Sequence, residues 1–99
     1  MLVFHVTFVC KPELREEFLE MIMTEGIDIA CREEEGNIAY DYYLPVHKEN
    51  ELLLIEKWRD AAALAAHARQ EHMVRMDRLK AEYVTDMRME MLRDAPGRE

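Results

Sequence analysis

The spacing of apolar residues changes period along this chain in an order that few folds accommodate. In "MLVFHVTFVC" (1–10) it is two: Leu2, Phe4, Val6 and Phe8 point one way, and Val3, His5, Thr7 and Val9 the other. That is a strand, and apolar groups on both sides predict that both are covered. From Glu13 the period becomes helical, with Leu14, Phe18, Met21, Ile22 and Ile29 on one stripe running to about Glu34. Pro12 suits the first turn of such a helix, and Gly36 a left-handed stop after it. "NIAYDYYLP" (37–45) reads as a strand with Ile38, Tyr40, Tyr42 and Leu44 on one face. "ELLLIEKWR" (51–59) is the next, with Leu52, Leu54, Glu56 and Trp58 on one face and Leu53, Ile55 and Lys57 on the other. Asp60 is then a natural N-cap for a helix beginning "AAALAAHA". That helix is expected to break near Gln70 and resume through "EHMVRMDRLKAEY", burying Met73, Met76 and Leu79. "YVTDMRMEML" (83–92) alternates again, with Tyr83, Thr85, Met87, Met89 and Met91 on one face.

The order β-α-β-β-α-β predicts an α+β, ferredoxin-like fold: one antiparallel sheet with helices on one face. A length of 99 residues sets a single domain, placed at 1–93, with a flexible polar tail over 94–99. Helices cover only one sheet face. The apolar residues on the other predict a second copy packed there as a homodimer.

A net charge of −8 argues against nucleic acid or an anionic membrane as partner. Cys10 and Cys31, with no CxxC between them, predict reduced thiols and a cytoplasmic protein. The opening strand lacks a basic start and a cleavage site, and is too short to span a bilayer. No GxGxxG, P-loop, GxSxG or HExxH occurs, so neither nucleotide, flavin nor metal has motif support, and no cofactor is expected.

Chemistry concentrates in "LIEKWRDAAALAAHARQEH" (54–72). His67 shares a helix face with Leu64 and Ala68 and so points at the sheet, either as a core group or as a pocket base. His72 lies five residues on, about 140° away if one helix ran through both. They are not an i,i+4 metal pair, and metal binding is the minor alternative. Glu56, between Leu54 and Trp58, needs a partner or a proton: it orients a histidine, carries a raised pKa, or pairs with a surface cation. Trp58, Tyr40 and Tyr42 wall a flat ligand or simply pack in the core and dimer. Glu33, Glu34 and Glu35, at the unfavourable end of the helix dipole, read as a solvated acidic corner in preference to a metal site.

The stretch "LLIEKWRDAAALAAHARQEHM" resembles the antibiotic biosynthesis monooxygenase family, which includes small quinol monooxygenases. The matching pattern is Glu56 and Trp58 two apart on a strand, the acidic cap Asp60, Leu64, His67, and His72 five residues later. "CREEEGNIAYDYY" and "KPELREEFLEMI" fit the same family more loosely. The resemblance implies a dimeric α+β barrel with a pocket between sheet and helices. It further implies a cofactor-independent monooxygenase that oxidises a small aromatic quinol or anthrone-like substrate with dioxygen. The catalytic set is then His67, Glu56 and His72, with Trp58, Tyr40, Leu54, Leu64 and His5 binding substrate. His72 would gate the mouth. Haem-cleaving members use an Asn on the first strand, where this chain has His5 and Thr7. Two alternatives remain open: an isomerase of a small, phosphorylated hydroxy-carbonyl compound, as in a cousin that acts on a phosphorylated autoinducer, and a non-catalytic ligand-binding or stress-response dimer. The isomerase would need inward-facing cations, which the sequence does not offer clearly.

Overall fold

A computed structural model describes residues 1–93. The elements run β1 (Leu2–Cys10), α1 (Arg15–Thr24), α2 (Ile27–Arg32), β2 (Asn37–Tyr43), β3 (Glu51–Trp58), α3 (Ala61–Ala68), α4 (Glu71–Tyr83) and β4 (Val84–Leu92). The strands form one antiparallel sheet in the order β2-β3-β1-β4, and the fold is the ferredoxin-like α+β plan. The tail expected over 94–99 lies outside the described residues.

Strand alternation divides the sheet cleanly. Phe4, Val6 and Phe8 of β1 lie opposite Glu56, Leu54 and Leu52 of β3, and all are buried on the side that carries the helices. Their neighbours Val3, His5 and Thr7 pair with Lys57, Ile55 and Leu53 on the opposite, half-covered face. The core sits between the first face and the helices: Phe18 and Ile22 of α1, Ile27 and Cys31 of α2, and Met76, Leu79 and Tyr83 of α4 are all buried.

Two departures from the expected pattern have local causes. The first helix does not run unbroken to Glu34. Gly26 adopts φ +70°, which glycine enters without steric cost, and starts α2 on a new axis. The break rotates the later stripe, so Ile27 is buried and Ile29 exposed, the reverse of the unbroken reading. Helix α1 also begins later than Glu13, because Glu13 itself sits at φ +66°.

The strand edges carry register shifts. One falls between Asn37 and Ala39 and turns Ile38 out to solvent while Tyr40 stays in the core. Leu44 falls beyond β2 and is exposed. The other shift, between Val9 and Cys10, pairs Cys10 with Val84 and Val9 with Asp86. Tyr83 therefore ends α4 and does not begin the strand. Its ring packs 5.7 Å from Phe18, and its hydroxyl donates to Glu17 Oε2 at 2.6 Å.

The connection between β3 and α3 behaves as its residues dictate. Asp60 is extended and accepts from the Ala63 backbone N–H at 2.9 Å, capping α3. Gly36, at φ +85°, lets the turn before β2 settle against that helix. A Cβ at Gly36 would come within 2.5 Å of the Ala63 methyl. This close approach fixes where the residues just before Gly36 meet α3.

Candidate functional site

Helix α2 ends at Arg32, and the chain turns through residues 33–36 before β2. The turn is held by backbone N–H groups of Glu34 and Asn37, which donate to the carbonyls of Cys31 and Glu34. Pressed onto α3 by Gly36, it aims the Glu34 side chain inward while Glu33 and Glu35 stay exposed. The acidic corner is therefore not uniformly solvated: the Glu34 side chain is only 8% exposed.

Both histidines converge on that carboxylate. His67 lies in the last turn of α3, buried against the sheet. The helix then stops: the N–H groups of Arg69 and Gln70 close tight bonds to the carbonyls of Ala66 and His67, and Gln70 is extended. Helix α4 restarts at Glu71 in a new direction. The angular separation expected for one continuous helix is thereby lost. His67 Nδ1 lies 2.9 Å, and His72 Nε2 2.7 Å, from the same Glu34 Oε2. An ionised carboxylate only accepts, so with Glu34 charged both nitrogens carry hydrogen. A neutral His67 then has its lone pair on Nε2.

The sheet supplies the opposite wall. Trp58 is fully buried, and its ring centroid lies 4.5 Å from that of His67; Tyr40 lies 5.6 Å from His67 on another side. The Trp58 indole N–H donates to Glu56 Oε1 at 2.7 Å. Burial pushes the Glu56 carboxyl above its usual value; the Trp58 bond and nearby His67 oppose that rise, and Glu34 adds to it. Burial also pushes the Cys31 thiol up to about 12 and holds the Tyr40 hydroxyl far above its usual value.

These groups border a cavity of about 320 Å³ between sheet and helices, within the usual range for a small ligand. Tyr40, Leu54, Leu64, Glu56 and His67 line it, with Met73 and Met76 from α4 and Met87 and Met89 from β4. Its polar rim is Asp77 and Lys80, which pair with each other at 3.1 Å.

Of the residues singled out from sequence, the structure brings His67, Glu56, Tyr40, Leu54 and Leu64 to the cavity. Trp58 stands behind His67 and Glu56 and is not a wall. His72 does not sit at the mouth; it joins Glu34 in a separate groove between α2 and α3. His5 is on the wrong sheet face altogether, opposite Ile55 and Glu90, because strand alternation sends it away from Phe4 and Val6. Glu56 bonds the Trp58 indole, and the carboxylate that orients His67 is Glu34. Glu34 and Lys80 went unrecognised. Only the turn at Gly36 and the break at Gln70 hinted that an acid near residue 34 meets the histidines.

The raised Glu56 carboxyl has a measurable consequence. Protonated Glu56 contributes stability that is complete below its unfolded value and is lost as pH rises through the higher folded value. Glu56→Gln keeps an acceptor for Trp58 without the charge. Its thermal midpoint should match wild type in acid and exceed it at neutral pH. Midpoints from about pH 4 to 8 check this; parallel curves would mean that Glu56 ionises in the fold as freely as in the unfolded chain.

An antiparallel sheet roofed by helices over a small cavity, with an acid-paired histidine in its wall, defines an α+β protein of the ferredoxin-like class. A family model described as Antibiotic biosynthesis monooxygenase matches residues 1–78. "Putative monooxygenase YcnE" of Bacillus subtilis (strain 168) is 39% identical over 72 residues, spanning 73% of this chain and 74% of that protein. The crystal structure of PA3566 from Pseudomonas aeruginosa superposes with a TM-score of 0.81 at 28% identity, over 95% of this chain and 93% of that one. A structure described as a "Putative antibiotic biosynthesis monooxygenase from Nitrosomonas europaea" gives 0.83 at 20% identity over 95% and 98%, a likeness of fold. The chain belongs to the antibiotic biosynthesis monooxygenase family. Family and relatives support a monooxygenase-like function. No helix among the described residues is long and apolar enough to cross a membrane.

Proposed function

We propose that this protein is a cofactor-independent monooxygenase for a small aromatic quinol or anthrone-like substrate, working as a homodimer. One observation carries the reading: His67, held through Nδ1 by buried Glu34, presents its ring to a largely apolar cavity. With Nδ1 occupied, Nε2 is the nitrogen left to accept a proton from a substrate hydroxyl. The resulting phenolate or enolate is a far better electron donor to dioxygen than the neutral form. For an anthrone-like methylene, one oxygen atom becomes the product carbonyl. The other leaves as water with the two substrate hydrogens. Tyr40, Leu54 and Leu64 offer the ring a dry surface, which suppresses side reactions of the reactive anion.

The one lysine that lines the cavity among the described residues, Lys80, is already paired with Asp77, which favours a neutral aromatic over a phosphorylated sugar. The dimer reading rests on the helix-free sheet face, where Val3, Leu53 and Ile55 are only half covered. Such an interface should bury more than about 2,000 Å² in total.

The test is oxygen uptake against a panel of hydroquinones, naphthols, anthrones and sugar phosphates, with product mass under labelled dioxygen. The expected result is uptake with an aromatic member and one labelled oxygen in its product, by a protein that sediments as a dimer. Turnover of a sugar phosphate without oxygen consumption would overturn the oxidative reading, and a folded micromolar monomer the dimeric one.

A further inference from the structure

We propose that Cys31, Glu34, His67 and His72 form a binding site for one divalent first-row metal ion, with Zn²⁺ the best match to the donors. Four elements contribute: Cys31 from α2, Glu34 from the turn after it, His67 from the end of α3 and His72 from the start of α4. One ligand atom from each lies within 4.8 Å of all the others. The Glu34 carboxylate already touches both ring nitrogens, at 2.9 and 2.7 Å. Donors around tetrahedral Zn²⁺ stand about 3.3–3.7 Å apart, given metal–ligand bonds of roughly 2.0–2.3 Å. An ion entering here would push the carboxylate and imidazoles apart by about half an ångström and draw the thiol in. Each shift is within reach of a side-chain rotation.

The chemistry of the set is consistent. Two imidazoles, a carboxylate and a thiolate are all recognised Zn²⁺ ligands, and the spacing H-x4-H falls in the usual window for a histidine pair. A thiolate and a carboxylate together neutralise a divalent ion, so the bound site carries no net charge into the interior. The Cys31 proton goes to solvent, and the two histidines bind as neutral rings. The donors are well shielded, with side-chain exposures of 7% for His67, 8% for Glu34 and 11% for His72. A groove lined by Glu33, Glu34, Glu35 and His72, with Arg59 as the one cation in its lining among the described residues, reaches Glu34 and His72, and its three carboxylates outnumber that guanidinium. Met73 Sδ lies 3.9 Å from Cys31 Sγ and adds a soft neighbour.

Loading has a consequence that rests on the proton-transfer reading above. A metal on His67 Nδ1 leaves the hydrogen on Nε2, so the ring can no longer take a proton from substrate. The metal-bound form should be silent in oxidation.

Binding is tested without reference to activity. Chelator-treated, reduced protein is titrated with Co²⁺ alone and followed by absorption, then competed with Zn²⁺. The expected result is one equivalent bound with a thiolate-to-cobalt charge-transfer band, bleached by Zn²⁺, absent in Cys31→Ser and retained in Cys10→Ser. His72→Asn should weaken Zn²⁺ binding by about 100-fold or more. Its side chain faces the groove, so it serves even if Cys31→Ser folds poorly. The absence of the band in folded wild-type protein would overturn the proposal. So would wild-type Zn²⁺ affinity in folded Cys31→Ser or folded His72→Asn.

Discussion

His67→Ala should lower turnover of the best aromatic substrate by about 10²–10⁴, the usual contribution of a positioned general base. Under the proposed function this residue has a catalytic role beside its packing role, and the two must be separated. Its ring packs 4.5 Å from Trp58 and 5.6 Å from Tyr40, so removing it leaves a void in the core. Truncation also strips Glu34 of one of its two hydrogen-bond donors and leaves a buried carboxylate held by His72 alone. Both effects destabilise, by roughly 1–3 kcal/mol together on the usual scale for such losses. Turnover must therefore be normalised to folded protein, with thermal midpoints measured alongside. Glu34→Gln supplies the second arm. It leaves the His67 ring in place but gives it a neutral partner, so it should reduce kcat with KM little changed. If His67→Ala loses stability while turnover per folded protein stays at the wild-type level, His67 is a core histidine and the catalytic reading falls.

Much of this architecture could be read from residue spacing. Alternation through "ELLLIEKW" placed Glu56 and Trp58 under the helices with Leu52 and Leu54, and the buried set confirms it. The Asp60 cap and the break near Gln70 were legible because each depends on a local preference, for an N-terminal acceptor or against continued helix. What eluded the sequence depends on contacts between distant segments. Periodicity assumed one axis from Glu13 to Glu34 and could not see Gly26 resetting the stripe, so Ile29 was assigned to the core in place of Ile27. His5 lay on the open face by the same alternation that gave Phe4 to the core; a family position drew it into the site against its own strand pattern. Glu34 was the larger omission. Three consecutive glutamates look equally solvated, and only the seat of Gly36 against Ala63 selects the middle one for burial.

Trp58→Ala is expected to bring the fold close to its limit. Trp58 is fully buried and joins the functional layer to the sheet: it backs His67, meets Tyr40 edge-on at 6.4 Å, and donates to Glu56. Emptying a site of this size costs about 3–5 kcal/mol from lost contacts and the cavity that remains. A further ~1–3 kcal/mol follows if Glu56 keeps its charge with no donor to meet it. Domains of this length hold roughly 5–15 kcal/mol in all. The thermal midpoint should fall by more than about 12 °C, measured at one fixed protein concentration for all variants. The two contributions can be told apart. Trp58→Phe retains most of the ring volume but removes the N–H, so its cost should come mainly from Glu56. Adding Glu56→Leu to Trp58→Phe removes the stranded carboxylate and should restore part of that loss. A double variant no more stable than Trp58→Phe would show that the indole acts by packing alone, and that the Glu56 hydrogen bond adds nothing to the fold.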